Sequence, residues 1–353
     1  MKHSIERWRY RRKKFGDLTR AYLGLARLQA RVRWWRWRHP GRPAIAVLLA
    51  EQFGDIVACE PVLRYLRAQY PTARLYWITR RPFRELLDHH PLVDEVVVEE
   101  PAVLFSIKLL RHSPFDRLFN LHLSNRLYMP VHWRLVNPEA DRLGIDIRNY
   151  FEHGHLLHVF TKVAGLPPLD EPPRLYIPES AVRRVAVLPL PKRFVVIHGR
   201  SNYPPKDWSV AGWERLVRAL IDELDLDVVE VGLESLLRVD SPRYHNYCGR
   251  LSLLETAELI RRADFYVGID SGPAHFANAV GTFGFILLGH LGAFADYLPY
   301  SGDYANGRNA CLIRKADGPA STLTFEEVWT PIRDRVRAGT LTLTPPDSSA
   351  LHD

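Results

Sequence analysis

Twice along this chain, short strand-like runs, apolar throughout at 44–50, alternate with stretches of helical periodicity, and few folds accommodate that doubled pattern. In the first set, residues 44–50, 74–79, 93–98 and 115–121 read as strands, and 55–69, 82–89, 126–136 and 154–164 as helices. In the second, 194–198, 227–231, 265–269 and 283–288 read as strands, and 210–223, 252–262 and 273–280 as helices. Strands apolar throughout are buried on both faces, as in parallel sheets covered by helices. Between the sets lies a stretch, 165–191, with seven prolines, which reads as an inter-domain connection carrying a small peripheral element. At 353 residues and 46% hydrophobic, the chain has material for two cores. The expected fold class is α/β, with two Rossmann-like doubly wound domains facing a cleft and ligands outside the carboxyl ends of the strands. Residues 324–338 read as a last helix.

Charge separates one further unit. Residues 1–38 hold 13 Lys or Arg and two acids, Glu6 and Asp17, which leaves the other 315 residues at −3 of the total +8. An enzyme body with a basic handle differs from a nucleic-acid binder with a basic face, and no nucleic-acid partner is expected. Within the handle Ile5, Trp8, Phe15, Leu18, Tyr22, Leu25, Val32 and Trp35 recur at steps of three, four and seven, read as one stripe of an amphipathic helix. His39-Pro40-Gly41 reads as its stop. Arginine interleaved with tryptophan suits an anionic membrane surface; docking on the enzyme's own body or a second subunit is the alternative. The expected layout is an extension at 1–41, domains at 42–178 and 179–340, and a polar tail at 341–353.

No apolar stretch approaches the roughly 20 residues that span a bilayer, and no secretory h-region is present. Cys59, Cys248 and Cys311 form no paired motif, so a reducing compartment and core packing are expected.

Four segments carry candidate chemistry. In the first, a strand runs into Asp270-Ser271-Gly272 and a helix opens at Pro273. The free N–H groups of that turn and the helix dipole make an anion site. Ser271 adds a hydroxyl and Gly272 permits close backbone approach, so a pyrophosphate fits; Asp270 or Ser271 acting only as a helix cap is the plainer reading. In the second, Gly54-Asp55 sits at the opening of another helix, where Asp55 is either a base for an acceptor hydroxyl or a cap. In the third, Arg200 and Lys206 lie in a strand-end loop ending in Asp207-Trp208, where either cation could neutralise a leaving diphosphate or be merely solvated. In the fourth, Gly232 and Glu234 follow another strand, and Glu234 could bind a ribose hydroxyl.

These blocks, in this order and spacing, resemble those of the heptosyltransferases, inverting family 9 glycosyltransferases of the GT-B fold that use ADP-heptose. Asp270-Ser-Gly-Pro-Ala-His275 resembles the family's D-[ST]-G-P-x-H block, Gly54-Asp55 with Pro61 its G-D-x₅-P block, and Lys206-Asp207-Trp208 its K-x-W block. The resemblance runs from about residue 44 to 313. It departs from the family in lacking a proline within 281–285, in Ser209 after Trp208, and in the basic leader. It implies that 42–178 binds acceptor and 179–340 binds the sugar nucleotide. Asp55 would be the general base; Lys206, Ser271 and Gly272 would hold the donor phosphates; Asp270 would bind the donor sugar. Gly268 and His275 would line the nucleotide pocket, with Gly232 and Glu234 beside it and Gly54 and Arg200 as secondary candidates. No metal and no bound cofactor are implied, the nucleotide sugar being a co-substrate.

The implied function is transfer of a sugar, heptose from ADP-heptose, to a lipopolysaccharide-core or related glycan acceptor. It would take place in the cytoplasm, on the inner face of the bacterial inner membrane. The alternatives are another nucleotide-sugar donor with a protein or polysaccharide acceptor, and a non-catalytic membrane-associated binding protein.

Overall fold

The computed structural model describes residues 2–124, 126–235, 237–290, 297–339 and 341. Of the tail expected at 341–353, all but Leu341 lies outside the described residues, as does the side chain of Ile5. The chain divides into two compact units, Met1–Asp170 and Glu171–Asp353.

The first unit runs α1 (Lys2–Arg38), β1 (Ala44–Leu48), α2 (Phe53–Ala58), α3 (Pro61–Gln69), β2 (Arg74–Thr79), α4 (Glu85–Asp88), β3 (Glu95–Val98), α5 (Ala102–Arg111), β4 (Arg117–Asn120), β5 (Arg126–Tyr128), β6 (Trp133–Leu135), α6 (Pro138–Leu143) and α7 (Leu156–Val163). Its main sheet is parallel, in the order β3-β2-β1-β4. Every residue of β1 is buried, as its apolar run requires.

Two readings need correction, and one helix is not among those expected. The helix expected over 55–69 is two helices, because Pro61 lacks an N–H and its ring displaces the carbonyl one turn back. The helix expected over 126–136 is a hairpin: β5 and β6 pair antiparallel around a tight turn containing Pro130, with His132 left-handed at φ 51°. The helix α5 went unread, since its apolar residues fall on most of its circumference and leave no clean period.

The second unit runs α8 (Glu179–Ala186), β7 (Phe194–His198), α9 (Val210–Leu224), β8 (Asp227–Glu230), β9 (Tyr244–Asn246), α10 (Leu253–Arg262), β10 (Phe265–Ile269), α11 (Gly272–Val280), β11 (Gly284–Leu288), β12 (Ala310–Arg314) and α12 (Phe325–Arg337). All six strands are parallel, ordered β12-β11-β10-β7-β8-β9. Numbered within the unit this is the doubly wound order 3-2-1-4-5-6, whose reversal of direction falls between β7 and β10. The first unit repeats the order as far as its four strands go. One core holds Val195, Ile197, Trp213, Leu216, Phe265, Val267 and Phe285 between the sheet and the helices α9 and α12. The short strands β9 and β12 were not anticipated.

The basic leader is helical, but not with the single stripe read from the sequence. Ala21, Leu25, Leu28, Val32 and Trp35 are buried, and Leu28, Val32 and Trp35 pack with Ala44, Tyr76, Phe105 and Leu109 of the first unit's core. Trp8, Phe15 and Tyr22 are exposed instead. The reason is geometric: steps of three and seven slip backward by about 60° and 20° on a helix of 3.6 residues per turn. A series made mostly of such steps winds around the cylinder instead of following one face.

Polar contacts fasten the leader helix as well, at buried Asp17 and along its flanks. The Tyr128 hydroxyl and Arg20 both donate to buried Asp17. Lys108 donates to the Tyr22 hydroxyl and lies 3.9 Å from the centroid of Trp133. Arg27, Arg31 and Arg36 pair with Glu99, Glu95 and Asp116. The alternative of docking on the enzyme's own body therefore accounts for one side of the leader. No described helix is long and apolar enough to cross a membrane.

Candidate active site

In the second unit the strand-end loops at the reversal between β7 and β10 bring together His198, Lys206, Asp270, Ser271, His275 and Tyr300. The two strands are direct neighbours, with Gly268 opposite His198. Beyond them the side chains meet: Ser271 Oγ lies 3.0 Å from His198 Nδ1 and 3.2 Å from the Ile269 carbonyl.

The loop after β7 divides its labour among three consecutive residues. Trp208 is buried and donates its indole N–H to the Leu323 carbonyl at 2.7 Å, which anchors the loop. Asp207 accepts from the Ser201 N–H and hydroxyl and closes it. Lys206, on a short 3₁₀ turn begun by Pro204 and Pro205, is thereby aimed at β10, where its ammonium donates to Asp270 Oδ2 at 2.5 Å. Tyr300 stands on the other side of the same carboxylate, its hydroxyl 3.5 Å from Oδ1.

Burial by itself pushes Asp270 up, but the Lys206 charge and hydrogen bond, with His275 and Tyr300, hold it below the usual carboxylate range. Asp270 is therefore an anion paired with Lys206. Burial lowers His275 to about 4, against the pull of Asp270, and lowers His198 to about 4, so both rings are neutral near pH 7. His275 Nδ1 has no hydrogen-bond partner among the described residues, and its ring lies 4.8 Å from that of Tyr300.

The first turn of α11 is open. Ser271 occupies the N-cap position with extended backbone, yet its hydroxyl goes to His198 and the Ile269 carbonyl and makes no cap bond. Pro273, within the first two helical positions, brings no N–H. The Ala274 N–H turns back to the Ser271 carbonyl at 3.1 Å, so what the turn offers an anion is the Gly272 N–H at the positive end of a nine-residue helix. The arrangement thus offers one lysine ammonium and one helix N-terminus for a diphosphate, and one carboxylate for hydroxyl groups.

Of the other expected residues, Gly232 and Gly268 border His198. Arg200 and Glu234 pair with each other at 3.1 Å across the loops after β7 and β8, both well exposed. Gly232, at φ +146°, packs against the His198 ring, where a Cβ would come within 3.2 Å. Gly268 is buried mid-strand, and a Cβ there would fall 2.1 Å from the Tyr266 hydroxyl, so its bareness makes room for a tyrosine. His198 and Tyr300 were not singled out from sequence. A histidine ending an apolar strand signals His198, whereas nothing local marks Tyr300, 30 residues from Asp270.

In the first unit Asp55 lies at the third position of α2, half-buried, and accepts the Gln52 N–H at 3.1 Å. It therefore does cap α2, with Gly54 buried beside it. The neighbouring strand ends are polar as well. Buried His122, after β4, accepts the Ala50 N–H at 3.0 Å through Nε2 and faces Asn120 Oδ1 at 3.2 Å through Nδ1. The buried carboxylate of Glu51 lies 4.0 Å from the same ring. Neither residue was read from the sequence.

Residues 155–284 match the profile of glycosyltransferase family 9 (heptosyltransferase). That span contains Lys206 and the 270–275 block but not Asp55. The lipopolysaccharide core heptosyltransferase OpsX of Haemophilus influenzae is 21% identical over 268 residues, which cover 68% of this chain and 77% of that protein. Lipopolysaccharide heptosyltransferase 3 of Escherichia coli is 24% identical over 271 residues, covering 65% and 78%. Among solved structures, a family 9 glycosyl transferase from Veillonella parvula superposes with TM-score 0.61 at 16% identity, covering 85% of this chain and 97% of that one. The ADP-heptose heptosyltransferase II of E. coli superposes with TM-score 0.61 at 19% identity, covering 84% and 99%. These likenesses are of fold, and they establish the two-unit α/β architecture.

Proposed function

On the premise that this chain is a glycosyltransferase of the family 9, heptosyltransferase type, we propose that it moves heptose from ADP-heptose to a lipopolysaccharide-core or related glycan acceptor, with inversion. The observation that carries this reading is the Lys206–Asp270 pair set against the open first turn of α11. A diphosphate arriving at that turn competes with Asp270 for the lysine. Once Lys206 turns to the phosphates, Asp270 is left as an acceptor for donor-sugar hydroxyls. Gly272 and Ser271 complete the phosphate cradle, and the adenosine lies toward His275, Gly232 and Glu234.

In the transfer step the acceptor oxygen bonds to the anomeric carbon as the bond from that carbon to the ADP oxygen breaks. The hydroxyl proton passes to Asp55, and the charge gathering on ADP is met by Lys206 and the helix N-terminus. The reading requires no metal, because a lysine and a helix dipole supply the positive charge. The enzyme works in the cytoplasm, at the inner face of the inner membrane, where residues 1–38 meet anionic lipid and the acceptor is lipid-linked.

The test is ADP release from ADP-heptose, run beside GDP- and UDP-sugars and with a lipopolysaccharide-core acceptor. Acceptor-dependent release of ADP with inverted product is expected. Preference for another nucleotide sugar would keep the fold and change the donor; no turnover with any donor would remove the reading.

A further inference from the structure

The leader helix has two working faces, and among the described residues only one of them is used by the protein itself. We infer that the outer face of α1 is a docking surface for an anionic lipid bilayer, on which the helix lies flat as a strut fixed to the first unit. This rests on the membrane reading above and adds to it the face, the residues and the orientation.

At 100° per residue, the buried residues Asp17, Ala21, Leu25, Leu28, Val32 and Trp35 fall within an arc of about 80°. Trp8, Phe15, Leu23, Trp34 and Trp37 fall within a second arc of about 100°, centred nearly opposite the first. All five are large and more than half exposed, at 59%, 66%, 55%, 57% and 79%. So many aromatic rings aligned in water mark an interaction surface.

The charge around them specifies the partner. Arg20, Arg27, Arg31 and Arg36 are spent on acids of the first unit. Arg9, Arg11, Arg12, Arg33 and Arg38 have no acidic partner among the described residues and lie beside or between the outer rings. Two of them already sit over those rings: Arg12 is 5.4 Å from the Trp8 centroid and Arg38 is 4.9 Å from that of Trp34. A guanidinium over an indole is the pair that suits the headgroup level, with the ring among glycerol and upper acyl carbons and the cation at phosphate. Gly16 leaves a notch between Arg9, Arg12, Lys13 and Arg20, where a Cβ would meet nothing within 4 Å.

A second copy of the same face would bring these cations against one another. A polyanion such as RNA would meet them, but it would leave Phe15 and Leu23 without an apolar partner. From Trp8 to Trp37 the helix spans about 43 Å, and with that density of charge it lies along a surface instead of crossing it.

The test uses the full chain with vesicles of phosphatidylcholine alone and of phosphatidylcholine mixed with phosphatidylglycerol. Flotation and the tryptophan emission shift are read for the wild type and for a Trp8→Ser/Phe15→Ser/Trp37→Ser variant. The three positions are exposed, so circular dichroism and nucleotide binding should match the wild type and report an intact fold. The wild type is expected to partition to the anionic vesicles at least roughly tenfold better than to neutral ones, and the variant to lose roughly tenfold or more of that. Equal binding by variant and wild type would overturn the assigned face while leaving the membrane reading standing. If the wild type bound neither vesicle, both would fall, and the same variant assayed for RNA binding and for dimerisation would show what occupies the face instead.

Discussion

Lys206 Nζ and Asp270 Oδ2 lie 2.5 Å apart, so the cation proposed to meet a donor diphosphate is held by the carboxylate proposed for the donor sugar. The two residues sit on loops after β7 and β10, 64 positions apart in sequence, and the doubly wound order makes them neighbours. This contact sets the first prediction. Lys206→Ala should weaken ADP binding by roughly tenfold to a hundredfold, the worth of a hydrogen bond to a charged group. Asp270→Asn releases the lysine, so ADP should bind at least as tightly as to the wild type while sugar transfer falls by two orders of magnitude or more. Calorimetric ADP titrations beside transfer rates check the pair. Parallel loss of ADP binding in both variants would mean that Asp270 supports the phosphate site itself.

The buried histidines set a pH dependence. His198 and His275 each titrate near 4 in the folded protein against 6.5 when solvated. Between those values the unfolded chain binds more protons than the folded one, so stability rises with pH through that window and is lost as pH falls from about 6.5 toward 4. Each ring contributes up to roughly 3 kcal/mol of that loss. Asp270, held below the ordinary carboxylate value, adds a further decline at more acid pH. Urea unfolding of the second unit from about pH 7 to about pH 4.5 should show the slope, and His198→Asn should flatten it. A profile level across this range would show that the rings are open to water.

For Asp55, capping and catalysis make separable predictions. Its carboxylate accepts the Gln52 N–H and so holds the start of α2. Asp55→Asn keeps an oxygen at that position, and its effect on stability should stay within about 1 kcal/mol. As the base of the proposed transfer, however, its loss should lower turnover by roughly 10²–10⁴-fold with ADP affinity unchanged. Thermal unfolding, calorimetry and turnover on the same variant distinguish the two. Near-normal turnover would leave Asp55 as a cap alone and direct attention to Glu51 and His122 at the same strand ends.

The sheet strands were legible because parallel strands covered on both faces are apolar along most of their length, as 44–48, 194–197 and 265–269 are. The turn from β10 into α11 was legible because Asp270-Ser271-Gly272-Pro273 follows an apolar run and ends in a proline suited to a first helical turn. What escaped depends on distance in sequence. Nothing near Tyr300 signals that its hydroxyl faces Asp270. The 126–136 hairpin escaped for another reason. Its three-residue strands are too short to show alternation, and Tyr128 and Trp133 are fixed by Asp17 and Lys108, far away in the chain.

The leader is also structural, which bears on any truncation. Leu28, Val32 and Trp35 are among the buried residues that close one side of the first unit's sheet, and Leu28 has no exposed surface. Deleting residues 2–38 would strip that side and expose Ala44, Tyr76 and Phe105 to water, so loss of activity on truncation would not isolate a membrane role. Leu28→Ala is the cleaner probe. Removing a fully buried leucine should cost about 2–5 kcal/mol in lost burial and residual cavity. In a unit of this size each kcal/mol lowers the melting midpoint by roughly 2–4 °C. The second unit should melt unchanged, and ADP binding to it should persist. Exposed Trp37→Ser should leave the melting of both units within the range of ordinary surface substitutions, about 0.5 kcal/mol. A Leu28→Ala variant as stable as the wild type would mean that α1 is not part of the first unit's core in solution.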